Sequence, residues 1–251
     1  MLKVSIIQNN PDWEQTAANL VDIENLLPED SDLIVLPEMF ATGFSMNADI
    51  AESMQDKTVQ TLKRWANIYK SVICGSTPIR NDNKILNRML FVFPNGDIQF
   101  YDKRHLFGIG GENSTYTCGS ERKIVTIKDF KILPSICYDI RFPVWLRNTD
   151  DYDILINIAS WPKSRIQVWQ TLLKARAIEN QCYVIATNRT GCDPKVEYNG
   201  QSAFINHRGE IEKQTDAEVS VISHCIDKEK ITNFRVDFPT LDDMDNFTLI
   251  I

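Results

Sequence analysis

Short continuous apolar runs alternate along the chain with segments in which apolar residues recur at helical spacing. Val4-Ser5-Ile6-Ile7-Gln8 reads as a buried strand, and Pro11-Asp12 as the opening of a helix carrying Trp13, Ala17, Leu20, Ile23 and Leu27 on one face. Leu33-Ile34-Val35-Leu36-Pro37 is a second apolar strand. Val59, Leu62, Ala66 and Tyr69 mark an amphipathic helix that feeds a third strand at Val72-Ile73-Cys74-Gly75. Strand-helix-strand units of this kind predict an α/β fold with helices covering the sheet.

From about residue 85 the rhythm changes. Met89-Leu90-Phe91-Val92-Phe93 and Ile98-Gln99-Phe100-Tyr101 flank the turn Pro94-Asn95-Gly96-Asp97, which predicts a hairpin and therefore a mixed sheet. Further strands are expected at Lys123 to Ile127, Lys131 to Ile136, Asp153 to Ala159 and Tyr183 to Thr187, with a helix from Ile166 to Asn180. Ser202 to Asn206 and Glu210 to Lys213 form a late hairpin around His207-Arg208-Gly209. No repeat or Gly/Ser/Pro-rich linker marks an internal boundary, and the tail after Ile231 is expected on the surface or docked on a partner.

Charge and cysteine usage narrow the setting. A net charge of -7 disfavours nucleic acid and anionic lipid as partners. No run of about 18 apolar residues predicts a membrane span. Met1-Leu2-Lys3 runs straight into the first strand without the features of a secretory signal, so the expected location is cytoplasmic. The six cysteines are scattered, with no C-x-x-C pair and no Cys/His cluster at metal-ligand spacing; they read as reduced thiols, and neither metal nor organic cofactor is expected.

Three reactive side chains sit where predicted strands end: Glu38, Lys103 and Cys137. Singly each has an ordinary explanation: a helix-start acid, a solvated cation, a small buried thiol. Together they are what thiol-dependent amide hydrolysis requires. A thiolate attacks the carbonyl, a nearby base takes the thiol proton, and the amine must receive a proton to leave. A carboxylate can make both transfers, while a lysine or the backbone N–H of Tyr138 can stabilise the oxyanion. A Cys-His pair is poorly served by His105, His207 and His224, of which only His105 lies near a candidate residue, where it could line the pocket.

Leu36-Pro37-Glu38-Met39-Phe40, Tyr101-Asp102-Lys103-Arg104-His105-Leu106-Phe107 and Cys137-Tyr138-Asp139-Ile140-Arg141-Phe142-Pro143 resemble, in order and spacing, the three signature segments of the nitrilase superfamily. The resemblance extends to Trp161-Pro162, to Ala175 through Gln181 and to Gly209-Glu210-Ile211, and is strongest to the ω-amidase branch. It implies one carbon-nitrogen hydrolase domain over 1–251, built as a four-layer α-β-β-α sandwich with mixed sheets and paired into a homodimer or higher homo-oligomer. It also implies Glu38 as base, Lys103 as oxyanion stabiliser, Cys137 as nucleophile and Glu112 as an assisting carboxylate. Glu112 departs from the pattern in sitting beside Gly108, Gly110 and Gly111, an unusually permissive stretch.

The substrate that this resemblance implies is the terminal amide of a small keto acid, 2-oxoglutaramate or 2-oxosuccinamate. Such a molecule presents a neutral amide at one end and a carboxylate at the other, so a cation besides Lys103 is expected in the pocket, with Arg141 and Arg165 as candidates. Phe44, Tyr138 and Trp161, with Phe142, are candidate aromatic walls. The motif alone leaves open hydrolysis of another amide, a nitrile or an N-carbamoyl group, and a catalytically silent interaction module on the same fold.

Overall fold

The computed structural model describes residues 1–250. Two six-stranded mixed sheets carry the architecture. The first contains β1 (Leu2–Gln8), β2 (Leu33–Val35), β3 (Val72–Asn81), β4 (Lys84–Val92), β5 (Ile98–Asp102) and β14 (Ser220–Ile226), in the order β14-β1-β2-β3-β4-β5. The second contains β6 (Val125–Ile127), β7 (Phe130–Ile136), β8 (Ile154–Ala159), β9 (Tyr183–Asn188), β12 (Ala203–Ile205) and β13 (Ile211–Gln214), in the order β13-β12-β9-β8-β7-β6. In each sheet a parallel trio forms the centre, β1-β2-β3 and β7-β8-β9, with antiparallel strands outside. The separate pair β10 (Thr190–Cys192) and β11 (Glu197–Asn199) stands apart from both.

The layers follow from the two-residue period of strands. Leu2, Val4, Ile6, Leu33, Val35, Cys74, Met89 and Phe91 point into the same core as Ile132, Ile136, Ile154, Ile156 and Ile158 of the second sheet. Their neighbours Ile7, Ile34, Ile73, Leu90 and Val92 point the other way, onto α1 (Thr16–Glu24) and α2 (Lys57–Tyr69) through Leu20, Ile23, Val59, Leu62, Trp65 and Ala66. Outside the second sheet lies α4 (Ile166–Glu179), whose Trp169 donates its indole N–H to Asn157 Oδ1 at 2.8 Å. The expected four-layer sandwich is therefore what forms. A short α3 (Pro143–Leu146) precedes β8.

Several expected boundaries shift, each for a physical reason. The first helix begins at Thr16 rather than Pro11, because Glu14 is in the left-handed region (φ 59°) and its N–H bonds to Thr42 O at 2.9 Å. Trp13 and Glu14 thus leave the helix. The strands expected to end at Gly75 and to begin at Met89 run on to Asn81 and back to Lys84, turning at Asp82 (φ 52°). The strand expected from Lys123 starts at Val125. The tail lies on the surface, where α5 (Lys228–Asp237) docks on the chain itself, with Ile231 buried and Arg235 donating to the carbonyls of Gln181 at 3.1 Å and Tyr152 at 2.6 Å. Those carbonyls precede β9 and β8, so α5 covers the N-terminal ends of the parallel strands and the opposite ends carry the reactive residues.

Candidate active site

Glu38 follows β2, Cys137 follows β7, and Ser160 and Trp161 follow β8, so the carboxyl ends of parallel strands in both sheets converge. Lys103 arrives from the end of β5. Its Nζ donates to Glu38 Oε1 at 2.8 Å and to both oxygens of Glu112, at 3.0 and 2.8 Å. All three side chains are essentially excluded from water. Asn87, on β4, joins the carboxylates from the other side, donating to Glu38 Oε1 at 2.9 Å and Glu112 Oε1 at 3.2 Å.

Two backbone donors complete the cluster. Ser160 N–H donates to Glu38 Oε2 at 2.9 Å, and Phe107 N–H to Glu112 Oε2 at 2.6 Å. The glycine-rich stretch explains why Glu112 can reach inward: Gly111 takes φ 82°, a turn that returns the chain after the exposed Ile109, so the permissive segment is ordered around a buried acid. A buried charge survives only when paired and hydrogen-bonded, and here every charge is.

Cys137 opens a 3₁₀ turn, Cys137–Arg141, in a left-handed conformation (φ 46°) that is rare for a residue with a Cβ. Asp139 holds this turn. Its carboxylate accepts from Ile136 N–H at 2.9 Å, Tyr101 Oη at 2.8 Å and His105 N–H at 2.9 Å. His105 Nδ1 lies 2.8 Å from the same carboxylate, and its ring stacks on Phe142 with centroids 3.7 Å apart. Tyr101 and His105 flank Lys103 in sequence, so Asp139 ties the cysteine turn to the lysine segment. His105 and Phe142 therefore serve this brace and do not line the cavity in front of Cys137.

The cluster contains two carboxylates and one ammonium, an excess of one negative charge. Burial alone would lower the Lys103 pKa, but Glu112 and then Glu38 outweigh it and hold the ammonium above the ordinary lysine range. Burial raises the Glu112 carboxyl above its ordinary value; Lys103 opposes this and the charge on Glu38 reinforces it. Burial first, and Glu38 next, push the Cys137 thiol well up, against the pull of Lys103 and of the Ser160 N–H. A raised thiol pKa means that the neutral S–H form persists above the pH at which a free cysteine ionises, about 8.5. Alkylation of Cys137 by iodoacetamide, followed at its own peptide by mass spectrometry, should accordingly keep accelerating through pH 9. A plateau reached below pH 8 would mean that Lys103 has already formed the thiolate.

A cavity of about 900 Å³ opens over Cys137, which is 8% exposed. Phe44, Tyr138, Arg141, Trp161 and Arg165 all line it, so each candidate contact residue is brought to the same space. Neither Arg141 nor Arg165 has a carboxylate within 4.0 Å among the described residues. The Arg141 guanidinium lies 5.4 Å from the Trp161 ring and 6.0 Å from the Tyr138 ring, and that of Arg165 lies 5.5 Å from the Phe107 ring. Arg141 does not pair with the nearby Asp139, whose carboxylate is occupied by Tyr101, His105 and Ile136.

Sequence reasoning missed Asn87, Ser160, the Asp139 brace and the β10–β11 pair that walls the cavity mouth. A buried asparagine within the apolar run of β4 was a usable signal for the first. The short polar strands of β10–β11 offered none; Asp193, accepting from Lys195 N–H, Val196 N–H and Tyr198 Oη, holds that turn.

Facing mixed sheets with helices outside, and a buried thiol set beside carboxylates and a lysine at the strand ends, are the architecture and site of a sandwich hydrolase. The chain belongs to the carbon-nitrogen hydrolase family, whose model matches residues 3–236, and it is a hydrolase of carbon–nitrogen bonds. It is 41% identical to Omega-amidase YafV of Yersinia enterocolitica, covering 99% of each chain, and 32% identical to 2-oxoglutaramate amidase of Bacillus subtilis, covering 96% of each. Among solved structures, a CN-hydrolase superfamily protein of Xanthomonas campestris with an arsenic adduct in its active site superposes with a TM-score of 0.97 at 38% identity. That match covers 99% of this chain and 98% of the other. Nit3 of Saccharomyces cerevisiae, from branch 10 of the nitrilase superfamily, gives 0.86 at 26% identity, covering 95% and 94%.

Proposed function

We propose that the chain is an ω-amidase that hydrolyses the terminal amide of a small keto-acid amide, 2-oxoglutaramate or 2-oxosuccinamate, to the dicarboxylate and ammonia. The observation that carries this reading is the juxtaposition, in one cavity, of Cys137 with two guanidinium groups that lack internal carboxylate partners. Likeness to the omega-amidase of Yersinia enterocolitica over 99% of the chain supports it.

Glu38 takes the Cys137 proton as sulfur attacks the amide carbon. Lys103 Nζ and the Tyr138 N–H stabilise the oxyanion, and the proton on Glu38 passes to the departing nitrogen. Water, deprotonated by Glu38, then attacks the thioester and the sulfur recovers its proton. Glu112 and Asn87 position Lys103 and Glu38. Arg141 and Arg165 hold the substrate carboxylate, with Phe44, Tyr138 and Trp161 as walls that exclude water from the reacting carbon. The reading includes one domain over 1–251 acting as a homodimer in the reducing cytoplasm. The six unpaired cysteines, and Val144, Ile178 and Val236 exposed on α3, α4 and α5 with Phe238 just beyond α5, are its support.

Ammonia release from 2-oxoglutaramate by the purified protein, beside glutamine, asparagine, a nitrile and an N-carbamoyl amino acid, tests the proposal. The keto-acid amide should be turned over far faster than the rest, and preference for any other substrate would replace the assignment. Alanine at Arg141 or Arg165 should raise KM for the keto-acid amide by about 10–100-fold, the equivalent of one charge-assisted hydrogen bond of roughly 1.5–3 kcal/mol. An unchanged KM in both variants would remove these residues from carboxylate recognition.

A further inference from the structure

Beside the turn between β10 and β11, which brings Asp193, Lys195 and Glu197 to it, the cavity over Cys137 has two chemically different walls. One is built from segments leaving the second sheet, the Cys137–Arg141 turn and the stretch Trp161–Arg165, and it is cationic through Arg141 and Arg165. The other is built from segments leaving the first sheet after β1 and β2, and it contributes Trp13, Glu14 and Asn47. Glu38 leaves the first sheet by the same route as Asn47, whereas Cys137 belongs to the second-sheet wall. A substrate whose carboxylate is held by Arg141 and Arg165 fills the cationic side, which leaves the side of Trp13 and Glu14 open to a substituent on the amide nitrogen.

Glu14 is prepared to meet a cation. Its carboxylate accepts from Ser45 Oγ and from Asn47 Nδ2 at 3.2 Å, and no lysine, arginine or histidine among the described residues lies within 4.0 Å of it. Two neutral donors fix its orientation and leave its charge uncompensated inside a concave site. The half-buried Trp13 lines the same wall and offers an indole surface, the strongest side-chain partner for a cation. The cavity, about 900 Å³, falls at the upper end of the range that encloses drug-sized ligands, and ammonia uses almost none of the space on the Glu14 side.

We propose that this wall is a leaving-group subsite, and that the enzyme also hydrolyses N-substituted ω-amides whose amine portion carries a positive charge, such as N-aminoalkyl amides of a keto dicarboxylic acid. The proposal rests on the ω-amidase reading for its acyl half. Bond changes are those of the primary amide. The S–C bond forms as the thiol proton moves to Glu38, and the C–N bond breaks as that proton passes to the secondary nitrogen, releasing a free diamine. Water then cleaves the thioester to the dicarboxylate, returning hydrogen to sulfur. Glu14 and Trp13 hold the distal ammonium throughout and exchange no proton with the reacting atoms.

The test compares release of 2-oxoglutarate from the primary amide, the N-(2-aminoethyl) amide and the uncharged N-propyl amide, with the wild type and Glu14→Gln. The wild type should favour the aminoethyl over the propyl amide in kcat/KM by about tenfold, one charge-assisted contact. Glu14→Gln, which keeps size and most hydrogen bonding, should erase that ratio. A purely structural role for Glu14 would lower all substrates in parallel and leave the ratio standing, which overturns the proposal. Turnover of the primary amide with neither N-substituted amide accepted also overturns it while sparing the ω-amidase reading; failure on the primary amide as well removes both.

Discussion

Alanine in place of Cys137 should lower amide turnover by about 10⁴-fold or more, while the unfolding temperature stays within a few degrees of the parent. The two halves of this expectation come from different parts of the structure. Activity is lost because no free nucleophile stands by: Glu38 and Glu112 are both held by Lys103, and the Ser160 hydroxyl donates to Glu38 O at 3.2 Å. Stability is kept because the substitution removes only a sulfur atom at the rim of the cavity. The turn itself is held by Asp139 through Ile136, Tyr101 and His105, none of which the substitution touches. Steady-state ammonia release and a thermal melt on the same preparation check both halves. Retention of even a hundredth of the parent activity would move the chemistry away from this thiol, since water attack directed by Glu38 alone gains none of the covalent pathway.

The parts of the fold legible in the sequence were those in which burial acts on both faces of a strand. β2, β7 and β8 are parallel and lie in the buried sheets, so their runs are mostly apolar and can be placed within a residue or two. β3 and β4 were cut short because Pro78, Arg80 and Asn87 interrupt the pattern, although both strands continue in register through Asn81 and Lys84. The first helix was started too early because Pro11-Asp12 mimics a helix opening. What the pattern could not register is that Asn19 Nδ2 donates to Asp12 O and Ala41 O, anchoring residues 11–15 as a loop at the cavity wall.

The site divides in the same way. Glu38, Lys103, Cys137 and Glu112 were nameable because each reactive type sits at a strand end or in a glycine-marked loop, and three signature segments fix the order of the first three. The groups that hold them in place were not, because they act through the backbone or across large separations in sequence. Ser160 N–H meets Glu38 across 122 positions and Asn87 spans 49, and neither residue type announces chemistry. The brace through Asp139 lies between these cases: an acid two residues after a candidate nucleophile was visible, but its partners Tyr101 and His105 were not.

Lys103→Met should cost about 10²–10³ in kcat, the usual price of one oxyanion donor, and about 3–5 kcal/mol of stability at pH 8. The stability loss is the more diagnostic, because methionine fills the space while leaving Glu38 and Glu112 buried with two negative charges and no ammonium. Asn87 and the two backbone N–H groups cannot neutralise them. Glu112 is already raised above its ordinary pKa in the presence of the lysine, by burial foremost, and loss of Lys103 must raise it further. A carboxyl whose folded pKa exceeds its unfolded value contributes stability that is fully present below the unfolded pKa and is lost as pH climbs through the folded one. The variant should thus recover on acidification: the gap between parent and variant in urea midpoint, widest at pH 8, should narrow toward pH 5 as Glu112 takes up a proton. A gap independent of pH would mean that lost packing, rather than unpaired charge, accounts for the destabilisation, and Lys103 would then serve the oxyanion without neutralising the cluster.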